Sequence, residues 1–299
     1  MELVQHNYLR GYGHGDNWRV EIDPPSRPVK SYYEEIAIAA EMIWDQKQGP
    51  LYLMYSGGLD SEYVLSVFLK LGMKITPVIL RMNNEYNAHD IEYAFWYCED
   101  RSLKPTIIDL DFDKFVESGE LIRIAESVKC SVFQLPASMW AASQLDGTVI
   151  TGDGNPHLKL NKSNNTWYID EEEYHYTLLR YWGKYKVYGT PFFTGYTPES
   201  MLSFLTDPTI ESLANNKLIG KEGSHSVKID VYNRGTDFNL VHRVKHTGYE
   251  TIRKSKIFQH PDIQTVRSWR SKWYGTHYLQ YHELVENLTS GIKSKELTN

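Results

Sequence analysis

The stretch Leu51-Tyr-Leu-Met-Tyr-Ser-Gly-Gly-Leu-Asp-Ser61 decides the fold, because an apolar, β-prone run leads into paired glycines and then into a helix. The glycines at 57 and 58 allow positive φ angles and a close approach of the backbone to an anion. The free N–H groups at the start of the helix point at that anion, with the helix dipole behind them. Ser56 and Ser61 add hydroxyl donors, so the stretch predicts a phosphate-binding loop.

Asp60 lies inside this loop, although a carboxylate repels phosphate. We therefore predict that Asp60 binds a divalent cation, Mg²⁺, which neutralises the phosphate oxygens. The spacing differs from the nucleoside-triphosphatase loop G-x-x-x-x-G-K-[ST], because no Lys follows the glycines. The alternative is a glycine turn that binds no ligand. That alternative does not explain why two serines and an aspartate cluster in the same turn.

The string Ser-Gly-Gly-Leu-Asp-Ser at 56–61 resembles the Ser-Gly-Gly-x-Asp-Ser loop of the N-type ATP pyrophosphatases, the PP-loop superfamily. This resemblance implies an enzyme that cleaves ATP between its α and β phosphates, adenylates a carbonyl oxygen, and lets a nitrogen or sulfur nucleophile displace AMP. It also implies ATP and Mg²⁺ as cofactors. Ser56, Gly57, Gly58 and Ser61 would hold the β and γ phosphates, and Asp60 would hold Mg²⁺.

The flanking sequence alternates short apolar runs with helical patterns. Strands are predicted at 51–55, 75–80, 106–110 and 148–151, and helices at 31–47, 60–71, 90–101 and 133–145, with two short helical stretches within 112–129. Such alternation is typical of a parallel sheet covered on both faces. We predict an irregular leader at 1–30 with one possible strand at 18–22, a doubly wound α/β core at 31–157, and an aromatic-rich, mainly helical substrate region at 158–299. The resemblance implies that the core is adenine nucleotide α hydrolase-like.

Two further loops follow predicted strands, where ligands of such sheets bind. The first is Leu80-Arg-Met82, where the resemblance implies that strand backbone meets adenine. The second is Thr151-Gly-Asp-Gly154, where Gly152 permits close approach to ATP and Asp153 supplies a second carboxylate. Asp153 is predicted to bind a second cation or to polarise the nucleophile.

Together, the two glycine-containing loops resemble the synthetase domain of asparagine synthetases and β-lactam synthetases, whose second loop reads Ser-Gly-Glu-Gly-Ala-Asp-Glu. This chain has Asn155-Pro-His157 in place of Ala-Asp-Glu, so the acidic pair that would complete a second metal contact is absent. Nothing before residue 50 resembles a glutaminase domain. If ammonia is the nucleophile, it must come free or from a partner protein.

The second half gives weaker patterns. We predict a hairpin over 158–169, solvated acids at 170–173 opening a helix at 174–184, helices at 198–205 and 208–215, a strand at 227–232, and largely helical structure over 261–288. Lys245 is the candidate catalytic cation, because the resemblance implies a late Lys over the α-phosphate. Its alternative is an ordinary surface lysine.

Composition excludes several classes of protein. The net charge of −6 argues against bulk nucleic-acid binding, although 243–272 carries eight Lys or Arg and only two acidic residues. Cys98 and Cys130 are too few for a disulfide framework or a Cys-rich zinc site. No signal sequence or long apolar run is present, so we expect a cytosolic protein outside the membrane. The sequence shows no Ser-His-Asp arrangement, and we predict no hydrolytic metal site.

The leading hypothesis is an ATP-dependent ligase or amidotransferase-type enzyme that adenylates a small carbonyl substrate, with Asp60, Asp153 and Lys245 as catalytic residues. One alternative is a PP-loop enzyme that modifies RNA or a nucleobase and holds phosphates with the basic segment 243–272. Another is a nucleotide-binding module without catalysis, which the departure at Asn155-Pro-His157 favours.

Overall fold

The computed structural model describes residues 8–218, 220–244, 246–269 and 275–296. The strands are β1 Leu9–Tyr12, β2 Arg19–Ile22, β3 Leu51–Met54, β4 Thr76–Met82, β5 Thr106–Leu110, β6 Thr148–Ile150, β7 Leu158–Asn161, β8 Thr166–Glu172, β9 Tyr188–Thr190 and β10 Thr276–Gln280. The α-helices are α1 Tyr32–Gln46, α2 Leu59–Lys70, α3 Ala88–Asp100, α4 Phe112–Glu117, α5 Glu120–Val128, α6 Leu135–Ser143, α7 Tyr176–Tyr185, α8 Pro198–Leu205, α9 Pro208–Ala214, α10 Lys228–Asn233, α11 Glu250–Lys254, α12 Pro261–Ser268 and α13 Tyr281–Glu296.

A five-stranded parallel sheet forms the centre of the fold, in the order β5-β4-β3-β6-β9. The chain first builds outward from β3 through β4 to β5, and then returns to the other side of β3 for β6 and β9. The winding direction therefore reverses between β3 and β6. This reversal opens a crevice at the carboxyl ends of these two strands, where open α/β sheets bind ligands.

Alternate residues of the central strands face opposite sides of the sheet. Leu51 and Leu53 pack into a core with α1, α2 and α3, whereas Tyr52 and Met54 pack against a second core built from α4 to α7 and α12. A sheet buried on both faces requires apolar residues at successive positions, which explains the continuous hydrophobic runs. The doubly wound α/β prediction is confirmed.

The helices that flank the loop at 56–61 follow local signals in the sequence. Ser31 and Glu34 form a capping box at the start of α1, which satisfies backbone N–H groups of its first turn. Gly72, with φ of +68°, follows the end of α2. These signals explain why both helices lie within two residues of their predicted bounds.

The remainder of the chain forms smaller units around this core. The strands β7, β8 and β10 form an antiparallel sheet in the order β10-β8-β7, and most of the other elements after residue 175 are helical. The predicted strand at 18–22 is present as β2, and it pairs with β1, which was not predicted. The fifth strand of the central sheet, β9, lies beyond residue 157 in sequence. No helix within the described ranges is both long and apolar enough to cross a lipid bilayer.

Three secondary-structure predictions were wrong. The acids at 170–173 do not open a helix, because residues 170–172 belong to β8 and pair with β10, and α7 begins only at Tyr176. Residues 276–280 form a strand through that same pairing. The alternating run at 227–232 forms helix α10, since helix geometry buries its apolar side chains and its lysine. Lys245 lies outside the described residues.

Candidate active site

The loop at 56–61 requires its first glycine. Gly57 has φ of +75°, and a Cβ atom there would lie 2.9 Å from the backbone nitrogen of Ala94 in α3. A side chain would therefore be strained by its backbone conformation and would also collide with a helix. The glycine lets α3 pack directly against the loop.

The loop leads into the first turn of α2 through Gly58, the N-cap residue, which has no side chain to bond the helix N–H groups. The serine hydroxyls make short-range contacts. Ser56 Oγ accepts a hydrogen bond from the Gly58 N–H at 3.3 Å, and Ser61 Oγ donates to the Gly58 carbonyl at 3.0 Å. This geometry is suited to an anion at the helix N-terminus.

The second loop packs on the same helix turn. A Cβ atom on Gly152 would lie 2.7 Å from the Ser61 backbone nitrogen, so only glycine permits this contact. The Asp153 carbonyl accepts bonds from the Thr194 N–H at 3.0 Å and the Thr194 hydroxyl at 2.8 Å. The backbone of Asp153 is thus fixed beside the start of α2.

Asp60 forms an ion pair with a residue that the sequence analysis did not identify. The Lys228 ammonium donates to Asp60 Oδ1 at 2.9 Å, and the Tyr232 hydroxyl donates to the same oxygen. The Lys228 side chain is 10% exposed and that of Asp60 is 30% exposed. Lys228 and Tyr232 are four residues apart on α10, so they lie on one face of that helix.

A buried hydrogen-bond chain positions the Tyr232 hydroxyl. Asn155 Nδ2 donates to the Tyr232 oxygen, and the Tyr32 hydroxyl donates to Asn155 Oδ1 at 2.6 Å. The Tyr232 ring stacks on Tyr63 with centroids 4.2 Å apart. Burial, together with the Asp60 carboxylate, raises the pKa of Tyr232 well above its ordinary value, which keeps it a donor. Asn155, the first residue of the Asn155-Pro-His157 departure from the resembled synthetases, thus helps to orient Asp60.

These loops border one cleft of about 740 Å³. It brings together all the predicted site residues that the structure describes: Ser56, Gly57, Gly58, Asp60, Ser61, Leu80, Gly152 and Asp153. Lys228 lines the same cleft and was missed, because residues 227–232 were interpreted as a strand. The signal that could have found it is the four-residue spacing of Lys228 and Tyr232.

The predicted adenine contact at Leu80 is already bonded to a side chain. Asn87 Nδ2 donates to the Leu80 carbonyl at 2.8 Å, and Asn87 Oδ1 accepts from the Met82 N–H at 2.9 Å. These backbone groups lie on the edge of β4 beyond the end of β3. An adenine bound to them must replace the Asn87 amide, which offers the same pairing of one donor and one acceptor.

The basic segment contributes one described cation to the cleft. Arg243 forms an ion pair with Glu62, and its guanidinium lies 3.5 Å from the centroid of the Tyr93 ring. The Arg243 side chain is only 20% exposed. Its charge is therefore held against a carboxylate and an aromatic face at the wall of the cleft.

The donor set around the loop fits Mg²⁺. Asp60 and Asp153 supply carboxylates from backbone segments in direct contact, and carboxylate oxygens are the ligands that Mg²⁺ prefers. Asp60 Oδ1 is currently neutralised by Lys228, so a cation there must compete with, or move, an ammonium group.

Comparisons with known proteins assign no family. No protein-family model matches the sequence. No curated protein matches it. Among solved structures, an NMN synthetase from Francisella tularensis is similar over 72% of this chain and 97% of its own, with 14% identity and a TM-score of 0.32. Similarity of that degree carries no conclusion about activity.

Proposed function

We propose that the cleft binds ATP with Mg²⁺ and transfers the adenylyl group to a carbonyl oxygen of a small substrate, with release of pyrophosphate. A nitrogen nucleophile then attacks the adenylated carbon and displaces AMP, which completes a ligase reaction. The nitrogen would come from free ammonia or from a partner protein. Pro156 and His157 replace the acidic pair of the resembled synthetases, so Asp60 and Asp153 alone would hold the cation.

One observation carries the proposal. The loop at 56–61 and the loop at 151–154 meet at the reversal point of the sheet, with the Gly152 backbone pressed on the first turn of α2. Two glycine-containing backbone segments, hydroxyl donors and two carboxylates at one helix N-terminus match the needs of a metal-bound polyphosphate. A glycine turn that binds no ligand would not explain why these hydroxyl and carboxylate groups lie together.

Mg²⁺, when bound, would neutralise the phosphate oxygens, and Asp60 and Asp153 would hold it. Ser56, Ser61 and the N–H groups of the loop would bind the β and γ phosphates. Lys228 would take the role that the resemblance implied for a late lysine: its ammonium, which pairs with Asp60 at 2.9 Å, would move onto the phosphates and stabilise the charge that develops on adenylyl transfer. Tyr232 would continue to orient Asp60 during that exchange.

Two features favour a small acceptor over RNA. The cleft volume of about 740 Å³ falls within the range of roughly 300–1,000 Å³ that is usual for small-molecule sites. Arg243, the described cation of the basic segment in the cleft, already faces Glu62. A polyanion would instead need unpaired cations along an extended path.

The proposal is tested by incubating the protein with ATP, Mg²⁺ and ammonium, and with a panel of small carboxylates and lactams, one at a time. Formation of AMP and pyrophosphate that depends on one acceptor is the expected result. ATP binding without turnover across a broad panel favours the non-catalytic module. Tight RNA binding that falls steeply with salt, by roughly 0.7 in log K per log unit of salt for each contacted phosphate, favours the RNA-modifying alternative.

A further inference from the structure

Two histidines and a glutamate converge at the wall of the cleft, away from the phosphate-binding loop. The ligand atoms of His89, His246 and Glu250 all lie within 4.8 Å of one another. His89 Nε2 is 3.0 Å from Glu250 Oε2, and the two imidazole rings meet edge to face with centroids 4.9 Å apart. Nothing in the proposed adenylation uses these three side chains.

The fold brings the three residues together from distant parts of the chain. His89 is the second residue of α3, and Glu250 is the first residue of α11, 161 positions later. His89 and His246 line the cleft. Ala94 of α3 packs against Gly57, and His89 lies five residues earlier, about 7.5 Å from Ala94 along the helix axis.

The carboxylate of Glu250 is held in a defined orientation. Its Oε1 accepts hydrogen bonds from the Thr247 N–H at 2.8 Å and the Thr247 hydroxyl at 3.0 Å, which turns Oε2 toward His89. The second oxygen of Glu250 is therefore oriented by neighbouring groups, as the oxygens of metal-binding carboxylates are.

We infer that His89, His246 and Glu250 form a binding site for a borderline divalent cation of the Zn²⁺ type, separate from the Mg²⁺ position proposed at Asp60. Two imidazoles and one carboxylate are a ligand set that favours such ions, whereas carboxylates and phosphates alone favour Mg²⁺. Three protein ligands leave coordination positions open, as in catalytic zinc sites. His89 and His246 border the cleft, so an ion between them and Glu250 would be within reach of a substrate there.

The geometry requires little adjustment to accept the ion. A tetrahedral Zn²⁺ with bonds of about 2.0–2.1 Å holds its ligand atoms roughly 3.3 Å apart. The His89 and Glu250 ligand atoms, 3.0 Å apart, are already near that spacing. The His246 nitrogen lies within 4.8 Å of both, so it must move closer to them by at most about 1.5 Å. Rotation of an exposed imidazole ring is sufficient for this movement. The competing interpretation is a hydrogen bond that merely ties the loop before α11 to α3.

The test uses the full chain, stripped of metal with a chelator and titrated with Zn²⁺ alone in a calorimeter, without nucleotide. We expect one Zn²⁺ per chain, and affinity that falls by at least about tenfold in each of His89→Ala, His246→Ala and Glu250→Gln. The matched control is His282→Ala, which removes an exposed histidine of α13 and should bind as the wild type does. A wild type without a tight site, or three variants that bind as the control does, overturns the inference.

X-ray absorption of the zinc-loaded wild type gives a result that does not depend on any variant folding. A first shell with two imidazole nitrogens and oxygen at about 2.0 Å supports the assignment. A shell with one imidazole or none contradicts it. Because no ATP is present, this outcome is independent of the proposed adenylation, and failure of either proposal leaves the other standing.

Discussion

Asp60 at the cleft and Glu173 after the acidic strand β8 both accept hydrogen bonds from residues more than 100 positions away in the sequence. Asp60 is 30% exposed and is bonded by one ammonium and one phenol. Glu173 is 1% exposed. Its donors are His14 Nδ1 at 2.6 Å, the Gly15 N–H at 3.0 Å, the Gly275 N–H at 3.2 Å and Arg180 at 3.5 Å.

The two carboxylates differ in whether they can exchange their hydrogen-bond donors for a ligand. Glu173 joins the N-terminal leader, α7 and the start of β10, and exchanging any donor would break contacts between segments. Asp60 borders a cleft, and its lysine partner sits on a flexible four-carbon chain that can turn to another anion. We therefore expect Asp60 and Lys228 to control activity and Glu173 to control stability.

The largest expected effect is that of Lys228→Met on turnover. Removing a cation that stabilises charge in the transition state should lower AMP formation by about 100- to 1,000-fold. The fold should lose no more than about 1 kcal/mol, because Asp60 keeps the Tyr232 hydroxyl and lies in the first turn of α2, where the helix dipole favours a negative charge. Steady-state kinetics and thermal unfolding measure the two quantities.

Lys114→Met is the matched control for that variant. Lys114 also pairs with an aspartate, Asp111, at 3.0 Å, but its side chain is 82% exposed and remote in sequence from the cleft residues. It should change neither turnover nor stability measurably. If Lys228→Met retains turnover and loses several kcal/mol of stability, then the Asp60 pair is structural and the contrast with Glu173 fails.

The next effect is that of Glu173→Ala on unfolding. The substitution leaves two backbone N–H groups, of Gly15 and Gly275, without their carboxylate and removes the partner of His14, so we expect a loss of about 3–4 kcal/mol. Turnover per folded molecule should change by less than about twofold. Glu222→Ala, which breaks an exposed pair with Lys162, should cost under about 1 kcal/mol in the same denaturant titration. A comparable loss in both variants would contradict the structural role of Glu173.

The smallest effect concerns pH and the neighbouring Glu171. Burial raises the pKa of Glu171 to about 7, with further contributions from Asp170 and Glu172. Between about pH 4.5 and pH 7, Glu171 is therefore protonated in the folded protein but ionised in the unfolded chain, where its pKa is about 4.5. Glu171 consequently lowers stability as pH rises from about 4.5 to about 7.

Glu171→Gln removes this titration while keeping an acceptor for the Tyr176 hydroxyl. Relative to wild type, its stability should be unchanged near pH 4.5 and higher by about 1–3 kcal/mol above pH 7. Glu41→Gln, at an exposed position on α1, should give a difference that is flat with pH. A flat difference for Glu171→Gln as well would show that this carboxyl titrates normally.

The parts of the molecule that could be predicted from sequence depend on local signals. The runs of apolar residues in the parallel strands and the glycine turn at Gly57 each specify their structure within a few residues. Parallel strands also place their carboxyl ends together, so the meeting of the loops at 56–61 and 151–154 followed from the fold class.

The parts that could not be predicted depend on distant partners. Residues 227–232 alternate like a strand, but tertiary packing selects the helix that sets Lys228 and Tyr232 against Asp60. The acids at 170–172 carry no local signal of their pairing with β10, which lies more than 100 residues later in the chain. The zinc-type cluster likewise joins His89 to Glu250 across 161 positions, and no spacing in the sequence indicates it.

Product analysis with labelled ATP tests the central claim most directly. With Mg²⁺ and the acceptor found by the panel, the wild type should give AMP and pyrophosphate, and Asp60→Asn should give neither at a measurable rate while unfolding at a temperature close to that of the wild type. Asp60→Asn removes one charge and no core volume, so a loss of product would report on the site itself. Release of ADP and phosphate by the wild type, or an unchanged rate of AMP formation in Asp60→Asn, would contradict adenylyl transfer at this cleft.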